Sequence, residues 1–298
     1  MISYYSRGKL LLTGEYVVLK GANALAVPCK MGQTLNYSPT KNNLLVWKSY
    51  DVNKNIWFEA EFKVDALDLI TTNDLEIWKS LLKVLNASRK LNSGFLKQGG
   101  QVSTQLEFER SWGLGSSSTL ISNVALWANI NPYLLLENSF GGSGYDIACA
   151  QAQGPLTYTR NKYEPDTKNI LLNYPFSENL FFVYLNKKKD SQKAVASFNL
   201  NKVEPSIIHE MNLLTEKIIN CSKQIEFNSL LNAHEQTIGS LLNQKTVQES
   251  HFSDFKGVVK SLGAWGGDFV LASGNKDSPN YFNTMGYSTI IPFKEMLL

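Results

Sequence analysis

The sequence predicts an α+β protein of two domains, and three observations carry that reading. Short β-branched and aromatic runs bounded by turn residues fill the first half. Apolar residues recur at helical spacing in both halves. The length, 298 residues, is long for one compact domain and comfortable for two. With 43% hydrophobic and 18% charged residues, a sizeable core is available and wholesale disorder is excluded.

The elements follow in order. Ser3–Leu12 and Tyr16–Leu19 read as strands around a Thr13-Gly14-Glu15 turn, and Lys30–Ser38, Leu44–Tyr50 and Trp57–Val64 read as further strands. Asn73 or Asp74 can cap a first helix, with Leu75, Trp78, Leu82 and Leu85 on its apolar side. Gln101–Phe108 alternates as a half-buried strand. A glycine–serine turn follows, then a helix marked by Leu120, Val124 and Trp127. Gly141–Gly144 leads into a helix over Asp146–Ala152, and Leu156–Arg160 resumes a strand. The polar stretch 161–178, with Pro165 and Pro175, marks a domain boundary, giving domains 1–165 and 166–298. Beyond it come a strand at Leu180–Leu185 and helices at Ser191–Leu200, Pro205–Cys221, Phe227–Leu242 and Phe252–Leu262. A glycine turn at Gly263–Gly267 and strands at Asp268–Ser273 and Ser288–Ile291 complete the chain.

Composition narrows the function classes. The formal net charge is +3, and the basic residues are scattered apart from Lys187–Lys189, so charge gives no case for nucleic acid or an anionic membrane. Cys29, Cys149 and Cys221 are odd in number and far apart, which argues against a disulfide framework or zinc site and fits a reducing cytoplasm. There is no 18-residue apolar run and no signal-peptide pattern. The expectation is a cytoplasmic monomer or homodimer whose partner is a small-molecule substrate, with no nucleic acid and no membrane.

Four segments carry candidate chemistry. Gly113-Leu114-Gly115-Ser116-Ser117-Ser118 lies between a strand and a helix. Glycines there let backbone approach a ligand, and free N–H groups at the helix start favour phosphate. Taken alone, such a turn is equally the start of a helix with a serine cap, and it is not a Walker-type loop. Gly142-Ser143-Gly144-Tyr145-Asp146 places an acid in a first helical turn, where it also serves as a cap. Arg7-Gly8-Lys9 leads into Thr13-Gly14-Glu15, and Gly263-Ala264-Trp265-Gly266-Gly267-Asp268 precedes a strand.

The order of these segments resembles the GHMP kinase superfamily, most closely a mevalonate/phosphomevalonate kinase-like bacterial subgroup carrying Gly144-Tyr145-Asp146-Ile147-Ala148. The resemblance covers the full chain through separated motifs. It implies a two-domain GHMP kinase fold, with a ribosomal protein S5 domain 2-like N-terminal domain and a ferredoxin-like C-terminal domain. It also implies an ATP-dependent kinase acting on mevalonate, phosphomevalonate or a related hydroxy acid; a kinase for a sugar or amino-acid alcohol, and an inactive nucleotide-binding homologue, are the alternatives. By resemblance, Gly113, Leu114, Gly115, Ser116, Ser117 and Ser118 bind the ATP phosphates, Ser117 reaches Mg2+, and Glu137 is the nearest candidate for a second ligand. Asp146 is the matched catalytic aspartate and Lys9 the matched lysine. Glu15, Ser143, Gly144, Lys187, Ser191, Gly266 and Gly267 are expected on the acceptor side. The chain departs from the family at Arg7 and Glu109, where proline is usual, and at Trp265, which replaces the middle glycine of the C-terminal turn and is expected to narrow a pocket there.

Overall fold

The computed structural model describes residues 1–161, 164–189 and 191–298. These form two compact units, neither a single stretch of chain. The first comprises Met1–Gly8, Met31–Arg110 and Leu114–Gln151, and the second Lys9–Lys30, Ser111–Gly113 and Ala152–Leu298.

In the first unit the strands are β1 (Ile2–Leu11), β2 (Ala24–Pro39), β3 (Leu44–Tyr50), β4 (Ile56–Lys63), β5 (Asp68–Thr72) and β6 (Gly100–Leu106). The helices are α1 (Leu75–Leu91), α2 (Ser116–Ala128), α3 (Pro132–Glu137) and α4 (Tyr145–Gln151). β1 and β2 each lend residues to both units. The strand order is β5-β4-β3-β6-β2, with β3 and β6 parallel and the other pairs antiparallel. A parallel pair needs a long crossover, here supplied by β4, β5 and α1. Alternation sets the faces. Val102, Thr104 and Leu106 of β6 point inward, as their spacing predicts, beside Leu45 and Trp47 of β3. Asp74 caps α1 by accepting from the Glu76 and Ile77 N–H groups. The buried face of α1 is Trp78, Leu81, Val84 and Leu85. Leu75 is left exposed, because the sheet selects a stripe one position round from the one the sequence spacing suggests.

The second unit contains β7 (Leu156–Thr159), β8 (Asp166–Asn169), β9 (Leu180–Tyr184), α5 (Ser191–Ser197), α6 (Pro205–Ile219), α7 (Gln224–Leu242), α8 (Val247–His251), β10 (Val258–Ser261), β11 (Phe269–Ser273), α9 (Ser278–Thr284), β12 (Ile290–Pro292) and α10 (Phe293–Met296). β10-β11-β9-β12 form an antiparallel sheet, while β7 pairs with Ala24–Ala26 of β2 and with β8. Two expectations are corrected. Tyr16–Leu19 is not a strand but leads into a 3-10 turn over Val17–Lys20, ended by Gly21 in the left-handed region at φ 88°. Phe252–Leu262 is not a helix. Its Phe252, Phe255, Val259 and Leu262 fit helical spacing, yet α8 stops at His251 and Val258–Ser261 pair with β11. Gly257 opens that strand against the Ser273 carbonyl, leaving no room for a side chain.

A charge cluster lies inside the second unit. Lys260 of β10 donates to Glu15 Oε1 at 2.5 Å and to the Ser261 carbonyl at 2.8 Å, and both charged side chains are fully buried. His234 Nε2 accepts from the Gly14 N–H at 3.0 Å. Burial pushes its pKa well below the ordinary imidazole value, so its approach to Glu15 is a neutral contact and not an ion pair. Burial also raises Glu15, against the pull of Lys260. Glu235 lies 3.9 Å from Lys260, and burial lifts its pKa to about 8. Lys260 thus lies between two buried carboxyl groups, and Glu235 keeps its proton at neutral pH.

Glu235 predicts a pH dependence. A carboxyl whose folded pKa exceeds its unfolded value of about 4.3 contributes stability that is complete below that value. The contribution is lost as pH rises toward about 8. Thermal melts should therefore show wild type losing stability between pH 5 and 8, by up to about 1.4 kcal/mol per pH unit, relative to Glu235→Gln. Parallel profiles for the two proteins would remove this assignment.

Candidate functional site

In the first unit the glycine–serine turn joins β6 to α2. Gly115 takes the N-cap position at φ 90° and gives no side-chain hydrogen bond, so the first N–H groups of α2 are left without a cap. Ser118 does not supply one: its buried hydroxyl donates to the Gly115 carbonyl at 2.9 Å. Ser117 is exposed and Ser116 half-buried. The three serines therefore divide, with 116 and 117 outward and 118 spent inside the helix.

A buried polar network fixes that helix start. Ser6 of β1 meets the Ser122 hydroxyl at 2.9 Å and the Asn123 Oδ1 at 2.8 Å. Asn123 donates to the Gln33 carbonyl at 2.9 Å, and Thr119 donates to the Gln33 side chain at 2.9 Å. Gly8 packs against the carbonyls of Leu114 and Met31, each 3.1 Å from where its Cβ would stand. The apolar positions Leu120, Val124 and Trp127 gave no sign of these polar contacts. Thr119, Ser122 and Asn123 of the same helix make them.

Asp146 lies half-buried in the first turn of α4, which packs against α2. Gly144, at φ 89°, opens the helix by accepting from the Ile147 and Ala148 N–H groups at 3.1 Å. An acid there is favoured by the helix dipole. Tyr133 is raised to about 12, first by burial, then by the charges of Cys149 and Asp146. Ser143 is half-buried just before α4, and Glu137 is exposed at the end of α3.

The second unit gathers another set. Lys9 Nζ donates to the Gly113 carbonyl at 2.8 Å. Gly113 has φ 68°, and the Asp268 carboxyl group fills the space its side chain would need. Asp268 accepts from the Lys189 N–H at 3.1 Å, and its own N–H donates to the Lys187 carbonyl at 2.6 Å. Gly267 packs on the same loop, its absent Cβ 2.8 Å from the Lys187 carbonyl, and exposed Gly266 lies beside Lys189 Nζ. Lys187, Gly266 and Gly267 are thus neighbours, although 79 positions separate Lys189 from Asp268. Glu15 lies apart from them, inside the buried charge cluster. Trp265 is buried among Tyr16, Val17, Met211, Ile238 and Leu241, so its indole points into the core of the unit. Asp190 and the side chain of Ser191 lie outside the described residues. Asp268 is the residue that sequence reading left without a role; the signal was an acid directly after Gly266-Gly267, in a left-handed backbone conformation at φ 55° that aspartate tolerates.

Among the described residues, no group of three or more His, Cys, Asp or Glu could hold a metal ion, and no helix is long and apolar enough to cross a membrane. No family model matches the sequence, and comparison with curated proteins finds no match. The fold does match solved structures. A mevalonate kinase is similar with a TM-score of 0.69 at 18% identity, covering 98% of both chains. Streptococcus pneumoniae phosphomevalonate kinase, solved with phosphomevalonate and AMPPNP, gives 0.71 at 13% identity, covering 97% of this chain and 99% of that one. Lactococcus lactis galactokinase complexed with galactose gives 0.69 at 15% identity, covering 99% and 93%. The chain therefore has the two-domain α+β fold of the GHMP kinases.

The network under α2 is testable. Asn123→Ala removes the side-chain donor to the buried Gln33 carbonyl and one of the partners of the buried Ser6 hydroxyl. Urea unfolding should show a loss of about 1–3 kcal/mol, and a loss within error of zero would mean that the network does not hold the helix.

Proposed function

We propose that this chain is an ATP-dependent small-molecule kinase that transfers the γ-phosphoryl group to an acceptor hydroxyl or phosphate, with mevalonate and phosphomevalonate as the leading acceptors. The observation that carries the reading is the uncapped N-terminus of α2 behind two left-handed glycines, Gly113 and Gly115, with Ser117 exposed beside it. Backbone N–H groups aimed outward from a helix start suit phosphate oxygens. Leu114, Gly115 and Ser116 supply main-chain groups, and the Ser117 hydroxyl is a hard oxygen donor suited to Mg2+. Glu137 is a carboxylate that can complete the set. Mg2+ keeps most of its ligands from phosphate and water, so one or two protein oxygens are a sufficient donor set. When bound, it would neutralise phosphate charge.

Phosphoryl transfer needs positioning and charge compensation more than covalent chemistry by the protein. The acceptor oxygen bonds to the γ-phosphorus, the bond to the β–γ bridging oxygen breaks, and ADP leaves with that electron pair. Asp146 takes the proton from an acceptor hydroxyl; an acceptor that is already an ionised phosphate has none to give. Lys9 offsets charge on the transferred group. Lys187 and Lys189, on the loop packed against Gly266 and Gly267, bear positive charge suited to an acceptor that already carries a phosphate. Ser143 and Gly144, at the start of α4, and Ser191 complete the proposed acceptor contacts. Glu15 contributes indirectly, by anchoring the segment that follows β1, the strand that carries Lys9. Three buried cysteines outside any disulfide support a reducing, cytoplasmic setting.

Coupled ADP release, screened over mevalonate, phosphomevalonate and a panel of sugars and amino-acid alcohols, tests the reading and selects the acceptor. Asp146→Ala should lower kcat on a hydroxyl acceptor by about 10²–10⁴, the range for a lost general base, while ATP still binds; near-normal turnover would remove its role. Lys187→Ala with Lys189→Ala should raise KM by about tenfold or more for a phosphorylated acceptor and leave an unphosphorylated one little changed. An unchanged KM for phosphomevalonate would sink that pocket.

A further inference from the structure

Asp268 is placed unlike an ordinary strand-leading acid. It stands in the left-handed region at φ 55°, immediately before β11, which fixes the direction of its side chain. Its Oδ1 accepts the Lys189 N–H at 3.1 Å, and its N–H reaches the Lys187 carbonyl at 2.6 Å, so side chain and backbone both grip the loop that follows β9. Its carboxyl also occupies the volume beside the Cα of Gly113, and Gly113 accepts from Lys9 at 2.8 Å. Lys9 and Lys188 supply the opposing charge. Burial disfavours the ionised form here, and the Lys189 N–H and the two lysine charges oppose that shift. Gly113 and the 187–189 loop, distant in sequence, thus meet at one side chain, with Lys9 bonded to Gly113 beside it.

We propose that Asp268 is a positioning residue that latches the 187–189 loop against Gly113 of the phosphate turn and thereby sets the acceptor side of the pocket. The latch rests on the geometry alone, and its acceptor role rests on the kinase reading above. Residue 113 must be glycine for two reasons, its positive φ and the carboxyl beside it. The loop holds its lysines in place because a charged hydrogen bond fixes the Lys189 amide. Removing the carboxylate frees the loop without touching the helix start that would bind ATP.

Hydrogen exchange on the ligand-free full chain tests the latch directly. Asp268→Ala should speed exchange of the Lys189 amide by about tenfold, the loss expected for one charged hydrogen bond. Asp268→Asn, which keeps the accepting oxygen, should restore slow exchange. Gly113→Ala takes the space of the carboxyl with Asp268 still present and should speed Lys189 exchange as well, which covers the case in which Asp268→Ala fails to fold. Unchanged Lys189 exchange in the folded variants, or no rescue by asparagine, overturns the latch. Kinetics then test its consequence: Asp268→Ala should raise acceptor KM by about tenfold, with ATP KM and kcat within about twofold. Faster exchange with unchanged acceptor KM overturns the acceptor role. A wild type that turns over no acceptor sinks the kinase reading, and the exchange result alone then decides the latch.

Discussion

The hydrogen-bonded anchoring of α2 is the constraint on which the first unit depends. A helix start with no side-chain cap leaves polar N–H groups unspent, and a protein keeps such an end in place only by fastening the helix elsewhere. Ser6, Gln33, Thr119, Ser122 and Asn123 do the fastening, at fully buried or nearly buried positions. Buried groups of this kind are stable only when every one finds a partner. The network therefore fixes both the register of β1 and β2 beneath the helix and the direction in which the turn presents its backbone.

The second unit solves a different problem. Its helices and its four-stranded sheet enclose a lysine and two glutamates, which would be costly unless charge were balanced. Lys260 is paired with Glu15, and Glu235, raised by burial, stays protonated at neutral pH. The same unit holds Asp268 against Gly113 and the 187–189 loop, where the acid is only partly buried and remains close to lysines. One acid is thus committed to the interior, and another to a loop whose Lys187 and Lys188 are exposed.

Much of this was written in local sequence. The alternation of Val102, Thr104 and Leu106, the cap at Asp74, the glycine–serine turn and the acid opening α4 all follow from spacing and residue type. Where spacing misled, a neighbour overrode it. Phe252, Phe255, Val259 and Leu262 mimic a helix, but pairing with β11 draws Val258–Ser261 into a strand. Trp265 looks in sequence like an obstruction in a glycine turn. In the folded unit its positive φ turns the indole away into the core. β8, fully exposed and polar, carries no hydrophobic pattern at all and exists because β7 offers it an edge.

What the sequence determined by itself is the order of motifs and the identity of the groups at them, because capping, glycine conformations and side-chain alternation are settled within a few residues. The tertiary structure decided which distant groups meet. Lys260 finds Glu15 across 245 positions, and Lys189 finds Asp268 across 79. Such pairings depend on strand register and on the volume left free beside a glycine, and neither is encoded in any short stretch of chain.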